Sequence, residues 1–353
     1  MSSLLLSIDL GFLLEKLILI VAVVSISLVI AMYETYAERK FAAFFQDRIG
    51  PNRAGPFGIL QPLADGLKLF MKEEIIPNTS NAFLFILGPS LAMLTAVMTS
   101  AVIPWGGTIE IFHRSVSLQI ADINIGILYV FGVVSMGVYG IMIGGWASNN
   151  KFSLIAALRG ASQVISYELP MGLSLIALLL MTGSLKMSVI VAQQADQWYY
   201  VLYQPLGFLI FFICALAECN RTPFDLPEAE NELNFGYHQE YSSMKLGFYL
   251  FAEYINMFIS SVVMATLFWG GYDIPFVNDS ALGVSLGGNA LALLQSLSLF
   301  VKAGVFIFTF IWIRWTIPRF RYDQLMNLGW KGLIPLSLVN MLITAAVSLW
   351  LKK

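Results

Sequence analysis

The sequence predicts an all-α integral membrane protein with about eight transmembrane helices and an interfacial amphipathic helix in its first cytoplasmic loop. Of the 353 residues, 58% are hydrophobic and only 12% are charged. A soluble domain averages about 25% charged residues, so this chain has too little charge to cover a surface in water. No strand-like alternation of polar and apolar residues is present, which argues against a β-barrel. We therefore expect a single membrane domain, residues 1–353.

Eight apolar segments approach the length of about 20 residues that a membrane-spanning helix needs. They are residues 13–33, 82–103, 123–146, 160–181, 198–217, 246–269, 291–313 and 333–350. The first is not expected to be a cleaved signal peptide, because it lacks a basic n-region. Charge then orients the bundle, since 14 of the 20 Lys and Arg residues lie in the loops at one membrane face. The positive-inside rule makes that face cytoplasmic. Ordinary spans without a transit peptide favour a multi-pass protein of a bacterial inner membrane.

The composition also limits the chemistry. The chain has a net charge of -2, two histidines and two cysteines, Cys214 and Cys219. Two cysteines cannot supply the roughly four ligands of a zinc or iron–sulfur centre, so we expect neither metal nor cluster. We interpret both as small apolar residues within the bundle. The acidic balance argues against a nucleic-acid partner.

Four ionisable residues lie in or beside the predicted spans, namely Glu168, Glu218, Glu253 and Lys302. Such residues are expensive in a bilayer, by a few kcal/mol on insertion scales, and are functional candidates by default. The carboxylates fit proton carriers, because desolvation favours their neutral form. The alternatives are hydrogen bonds between helices for Glu168 and Glu253, and snorkelling for Glu218 and Lys302.

The functional cytoplasmic loops are predicted at 34–81 and 218–245, and together they hold 12 of the 22 acidic residues. In the first, Leu60, Leu63, Ala64, Leu67 and Phe70 share one helical face, and Gln61, Asp65, Lys68 and Lys72 share another. That pattern predicts a helix lying in the interface, as a plain anchor or with Asp65 and Lys68 lining the floor of a cavity. In the second loop, aromatic residues alternate with acids, so we expect buried carboxylates that titrate together. His238 fits a buried hydrogen-bonding residue.

Two long motifs resemble the hallmarks of one membrane-subunit family, the H-type subunits of respiratory complex I, the proton-pumping NADH:quinone oxidoreductase. They read Gly58-x-x-Gln61-x-x-x-Asp65-Gly-Leu-Lys68-x-x-x-Lys72-Glu73 and Pro223-Phe-Asp-Leu-Pro-Glu228-Ala-Glu230-x-Glu232-Leu-x-x-Gly236. Shorter matches include Arg48-x-Gly-Pro-Asn-Arg53 and Arg319-x-Arg321-Tyr322-Asp323-Gln324. The resemblance covers about residues 12–345.

The resemblance implies a role at the junction of the redox arm and the membrane arm. There, a chamber admits a quinone, ubiquinone or menaquinone, as a substrate that is reduced beyond this chain. The implied chamber residues are Glu38, Arg39, Arg48, Arg53, Asp65, Lys68, Arg221 and Phe224, with Arg314 and Arg319 near its mouth or a subunit contact. The implied proton relay is Glu218, Glu228, Glu230 and Glu232, leading to Glu253 and Glu168. The implied partners are the hydrophilic arm carrying the terminal iron–sulfur cluster, the antiporter-like membrane subunits and lipid.

The third predicted span has no acid, unlike some relatives, which leaves Tyr139 or water as the expected exit from Glu168. Three other interpretations stay open at this point. The chain could be a stand-alone transporter using Glu168 and Glu253, although we find no internal repeat. It could be the equivalent subunit of a membrane-bound hydrogenase. It could also be a scaffold joining two arms.

Overall fold

The computed structural model describes residues 10–111, 114–195, 199–275, 277 and 287–351. Within them, seven helices are long and apolar enough to cross a bilayer, and an eighth apolar helix, Pro205–Glu218, is shorter. The predicted all-α membrane fold is therefore confirmed.

The helices are α1 Leu10–Phe45, α2 Gln61–Met71, α3 Ala82–Thr99, α4 Gly126–Ala147, α5 Lys151–Thr182, α6 Met187–Ala195, α7 Tyr200–Tyr203, α8 Pro205–Glu218, α9 Glu230–Leu233, α10 Ser243–Phe268, α11 Gly288–Thr316, α12 Tyr322–Asn327 and α13 Ile334–Leu351. A π-helical turn, Leu328–Leu333, joins α12 to α13. Two strands, β1 Thr108–Ile111 and β2 Arg114–Ser117, pair antiparallel.

Several helix boundaries differ from the expectation, and the fourth span, predicted over 160–181, is part of the longer helix α5, Lys151–Thr182. The sequence predicts that the first helix ends at residue 33, but α1 continues to Phe45 because its charged segment is rich in Glu, Ala, Arg and Lys, which favour helix. The fifth span is predicted as one segment over 198–217, but α8 begins at Pro205. Proline has no backbone N–H and fits the first turn of a helix better than its interior.

Two further elements lie where the sequence predicts only connections. The β1–β2 hairpin follows α3, and α6 follows α5. Neither is long enough to cross a bilayer, so hydropathy does not detect them. They lie at the membrane face opposite the charged loops, because β1, β2 and α6 follow α3 and α5 at the ends far from those loops.

Helix α10 is the central element of the bundle, and α1 is peripheral. In their most apolar windows, 72% of α10 is buried but only 6% of α1. Glycines allow α3, α4 and α10 to pack closely. Tyr249 on α10 donates to the Gly140 carbonyl at 3.0 Å, and a Cβ at Gly140 would stand 2.9 Å from Ala92 N. The polar groups that α10 carries are therefore held well inside the protein.

Candidate functional site

A buried arginine lies at the centre of a cluster of charged residues. Arg221 follows α8, and Asn220 before it adopts a left-handed φ of 51°, a conformation that asparagine tolerates better than most residues. The chain thereby leaves the helix and Arg221 is buried, with 5% of its surface exposed. Its guanidinium lies 3.6 Å from Glu38 Oε2 and 3.9 Å from Glu253 Oε2. One loop cation thus joins carboxylates from two membrane helices.

The first helix contributes Glu38, which is 7% exposed. Arg314 at the end of α11 places Nη1 2.5 Å from Glu38 Oε1, and Tyr254 donates to Glu38 Oε2 at 2.9 Å. The Tyr254 ring also stacks under the Arg221 guanidinium at 4.1 Å. Two arginines and a phenol therefore surround one carboxylate, and the Arg221 cation also lies against an aromatic ring.

Next to this centre, the carboxyl groups of Glu253 and Glu228 lie close enough to hydrogen-bond to each other. Tyr237 donates to Glu253 Oε1 at 3.0 Å, and His238 Nδ1 lies 4.0 Å from Glu228 Oε1. Two carboxyl groups can hydrogen-bond to each other only if one of them carries a proton. The pair can therefore hold or release a proton within the buried cluster.

The groups of the loop itself have shifted acidities. Burial raises the pKa of Glu228, but the hydrogen bond from Glu253 and nearby positive groups lower it more, so the net pKa lies below its ordinary value. Burial lowers the pKa of His238, which Glu228 partly opposes. For Asp225, burial and Glu228 raise the pKa to about 7 although Arg319 lies 2.6 Å away and acts in the opposite direction. Asp225 therefore titrates near neutral pH.

One cluster member does not stand out in the sequence. Glu34 is 4% exposed, and neither carboxylate oxygen has a hydrogen-bond partner among the described residues. It lies close enough to Arg221 and Glu38 to interact with their charges. The predicted first span ends one residue earlier, so Glu34 falls in the loop 34–81. The i, i+4 spacing of Glu34 and Glu38 on one helical face is the signal that could have identified it.

The amphipathic helix α2 docks against the charged end of α1. Arg39 Nη1 lies 2.6 Å from Asp65 Oδ2, and Gln61 donates to Asp65 Oδ1 at 3.2 Å. Lys68 lies 3.9 Å from the same carboxylate, with 72% of its side chain exposed. Ser243 at the start of α10 donates to Leu69 O at 3.1 Å. Helices α1, α2 and α10 therefore meet next to the Arg221 cluster.

The apolar side of α2 faces outward. Leu63, Leu67 and Phe70 expose 47%, 62% and 68% of their surface. An apolar exposed face opposite a polar docked face is the geometry of a helix lying in a membrane interface. The predicted helix over this segment is present, and its polar face carries Asp65 toward α1.

Three expected chamber residues make no hydrogen bond or ion pair with the charged side chains of this cluster among the described residues. Arg48 and Arg53 are exposed, and no ion pair joins either of them to another described residue. Phe224 is 3% exposed and packs edge-on against Tyr167 at 5.3 Å and against Phe320 at 5.7 Å. In this conformation Phe224 is a core aromatic residue.

From Glu253, small cavities lead along the bundle. One of about 40 Å³ is lined by Glu253, Tyr237, Asn256 and Glu218, and a second of about 30 Å³ is lined by Glu218 and Ser260 among apolar residues. A buried water needs roughly 10–15 Å³ of such space and two to four polar partners. Each cavity can therefore hold ordered water beside Glu218, which also interacts electrostatically with Glu168.

The last member of this row is Glu168 on α5. Its carboxylate lies within hydrogen-bond distance of the Ser135 hydroxyl of α4, and the single proton of that hydroxyl is shared with Phe131 O, 2.8 Å away. Glu168 lines a lateral groove of about 600 Å³ between α4 and α5. Tyr139, expected from sequence as a route onward, is 59% exposed on α4. The contact of Ser135 with Glu168 was not predicted from the sequence, because the search for polar groups in the spans selected ionisable residues and serine is uncharged.

The remaining predicted relay residues lie on α9. Glu232 pairs with Arg159 at 2.6 Å, and 52% of its side chain is exposed. The side chain of Glu230 lies outside the described part of the chain. Among the described residues, no group of three His, Cys, Asp or Glu side chains is arranged to hold a metal ion.

These features define a multi-span helical membrane protein in which buried ionisable groups run from a charged face into the bilayer. A family profile described as NADH dehydrogenase matches residues 17–345. The chain is 64% identical to an H-type subunit of the NADH-quinone oxidoreductase of Cytophaga hutchinsonii, over 95% of this chain and 97% of the relative. It is 62% identical to the H-type subunit of Flavobacterium johnsoniae, over 96% of each chain. It is 48% identical to NADH-quinone oxidoreductase subunit 8 of Rhodothermus marinus, over 92% of this chain and 94% of the relative. The chain therefore belongs to the family of H-type subunits of the NADH-quinone oxidoreductases.

Proposed function

We propose that the chain is a membrane subunit of a proton-translocating NADH:quinone oxidoreductase, where it forms the quinone-access chamber and couples quinone reduction to proton movement. Redox chemistry would take place in partner subunits of the hydrophilic arm. The observation that carries the proposal is the position of Arg221 between Glu38 and Glu253. Arg221 connects the end of α1 that docks α2 to the carboxylates inside the bundle.

The chamber is proposed where α1, α2 and α10 meet. Arg39, Asp65 and Lys68 supply charge there, while the apolar side of α2 faces the bilayer. An isoprenoid quinone is apolar along its tail and polar at its headgroup, so an opening between an interfacial helix and two spans suits its entry. Arg314 and Arg319 lie at the ends of the same cluster, where we propose the mouth or a contact with the hydrophilic arm.

Coupling would act through charge. Quinone reduction changes the charge in the chamber, and Arg221 and Glu38 transmit that change to the Glu228–Glu253 pair, whose shared proton then shifts. Glu218 and Glu168 continue the path toward neighbouring membrane subunits, with water in the intervening cavities. Glu230 and Glu232 remain proposed relay members, and Glu232 pairs with Arg159.

The relay is tested by Glu228→Gln in the assembled complex. We expect quinone-linked turnover and proton pumping to fall at least fivefold, because glutamine cannot exchange the shared proton. NADH oxidation by an artificial acceptor should stay intact, since it bypasses the quinone. The matched control is Glu240→Gln, whose carboxylate pairs with Asn150 at 2.8 Å outside the cluster. Unchanged pumping and quinone reduction in Glu228→Gln would refute the relay.

The chamber is tested separately with a photoreactive quinone added to the same complex. We expect adducts within residues 34–72 and 218–241. Exclusive labelling of other segments would refute the chamber while leaving the relay open to its own test.

A further inference from the structure

One buried acid beside Arg221 has no partner of its own. Glu34 of α1 is 4% exposed, and neither of its carboxyl oxygens has a hydrogen-bond partner among the described residues. A buried carboxylate without a donor is unfavourable, and the cost is smaller when the group binds a proton and becomes neutral. The carboxylic acid is therefore the favoured form of Glu34 in this conformation.

Arg221 has buried donors without acceptors in the same cluster. Its Nε and Nη2 atoms make no hydrogen bond within the described part of the chain. Glu38 and Glu253 lie 3.6 and 3.9 Å from its guanidinium, which is close enough for an ion pair but too far for a hydrogen bond. Nε and Nη2 form one edge of the guanidinium, and such an edge can hold both oxygens of a carboxylate. Arg221 therefore has room for one more carboxylate partner.

Glu34 lies within reach of this edge. It is one helical turn from Glu38 on α1, and side chains four residues apart on a helix have Cβ atoms about 5–6 Å apart. Glu34 is also close enough to interact electrostatically with Arg221 and with Cys219, two positions before it in the chain. A guanidinium that moves by about one turn along α1 would exchange Glu38 for Glu34.

Glu38 does not depend on Arg221 alone. Arg314 of α11 pairs with its carboxylate, and Tyr254 of α10 donates to it at 2.9 Å. Glu38 therefore keeps a cation and a hydrogen-bond donor when Arg221 moves away. Glu34 makes no hydrogen bond or ion pair with any described residue, so its charge depends on where Arg221 lies.

From these contacts we infer that Glu34 is the alternative partner of Arg221 and a proton-holding residue of the coupling network. The inference rests on the proposed function, because quinone reduction supplies the event that moves Arg221. While Arg221 faces Glu38 and Glu253, Glu34 keeps its proton. When Arg221 turns to Glu34, the O–H bond of Glu34 breaks and the new carboxylate accepts from Nε and Nη2. The proton passes to the Glu228–Glu253 pair and neutralises its negative charge, so the net charge of the cluster does not change.

The test is infrared difference spectroscopy of the assembled complex, oxidised against quinone-reduced. We expect a carboxylic acid band that disappears on reduction in wild type, because Glu34 ionises, and that is missing in Glu34→Gln. Quinone-linked turnover of Glu34→Gln should fall about threefold, since glutamine cannot exchange a proton. Glu15→Gln is the matched control, because Glu15 lies on the same helix beside Lys16, roughly 28 Å from Glu34 along the axis. Its band and its turnover should match wild type.

Glu34→Asp decides the question if Glu34→Gln fails to assemble. This variant keeps a carboxyl group, so the band should shift in frequency rather than vanish. A role of Glu34 in packing alone would change the amount of assembled complex without altering the band. A band that stays unchanged in both Glu34 variants would overturn the inference, and the proposed function would stand if Glu228→Gln still lost its own band. Bands that none of these variants alters would refute the relay as well.

Discussion

Among the described residues, Arg221 and Lys302 are buried cations toward opposite membrane faces, and they are held by different kinds of acceptor. Arg221 is 5% exposed and faces the carboxylates of Glu38 and Glu253. Lys302 is 6% exposed and donates to the main-chain carbonyls of Trp269, Gly271 and Asp273 at 2.7, 2.9 and 2.6 Å.

The difference in acceptors indicates a difference in role. Carbonyl oxygens do not titrate, and the three that accept from Lys302 lie just beyond the end of α10, where a cation stabilises the helix terminus. Carboxylates around Arg221 can gain and lose protons, so their charge can respond to an event nearby. We therefore interpret Lys302 as a residue that stabilises the end of α10. We interpret Arg221 as part of a switchable network, by which we mean a group of residues whose protonation can change. Lys302 does not extend its ammonium to the headgroup region, as the snorkelling alternative would require, because the ammonium is buried among backbone acceptors.

The largest effect is expected from Arg221→Met. Removing one partner of a buried ion pair costs about 3–5 kcal/mol, because the remaining charge has no compensation. We expect quinone-linked turnover to fall more than tenfold in any complex that assembles, with NADH oxidation by an artificial acceptor preserved. Turnover close to wild type in Arg221→Met would show that Arg221, like Lys302, has only a structural role.

A smaller loss is expected from Ser135→Ala, which removes the hydroxyl that donates to Glu168. A hydrogen bond contributes about 0.5–1.5 kcal/mol net. We expect proton pumping per quinone reduced to fall three- to fivefold in reconstituted vesicles. Tyr139→Phe serves as the comparison, since the exposed Tyr139 should be dispensable. A larger loss of pumping in Tyr139→Phe than in Ser135→Ala would instead support Tyr139 as the exit from Glu168, as the sequence predicts.

Lys302→Met should affect assembly rather than turnover. Three carbonyls near the end of α10 would lose their donor, so we expect two- to threefold less assembled complex in the membrane. Quinone-linked turnover per assembled complex should match wild type. A fall in turnover per complex comparable to that of Arg221→Met would contradict the structural role of Lys302.

The smallest effect concerns pH. Burial raises the pKa of Asp225 to about 7, above the unfolded value of about 4. Between these values the folded state binds more protons, so this group's contribution to stability is complete below about pH 4 and is lost as the pH rises through 7. The slope is at most about 1.4 kcal/mol per pH unit. We expect Asp225→Asn to flatten the pH dependence of the complex's thermal unfolding between pH 5 and 7. An unchanged slope would show that Arg319 keeps Asp225 ionised throughout.

Each sequence signal predicts only the structural property that it measures. Hydropathy detects contact with lipid, so it found the spans but ended α1 at residue 33 and assigned Glu34 to a loop. The rule that acids in spans are costly identified Glu253 and Glu168. The same rule also selected Lys302. No sequence pattern predicts that its ammonium donates to backbone carbonyls.

The contacts between distant segments could not be obtained in this way. Arg221 lies 183 positions from Glu38 in the chain, and their proximity follows from how α1 packs against α10. The motifs suggest Arg221 and Phe224 for the same chamber, and the fold packs the Phe224 ring on Tyr167 while the Phe224 N–H donates to the Arg221 carbonyl at 2.8 Å. Motif resemblance identifies residues, whereas packing decides which of them share a site.

The most direct test of a switchable network is infrared difference spectroscopy of the assembled complex, oxidised against quinone-reduced. We expect a carboxylic acid band that changes on reduction in wild type and in Glu240→Gln and is missing in Glu228→Gln, because the Glu228–Glu253 pair exchanges its proton. A band that persists unchanged in Glu228→Gln would contradict a role for this pair in coupling.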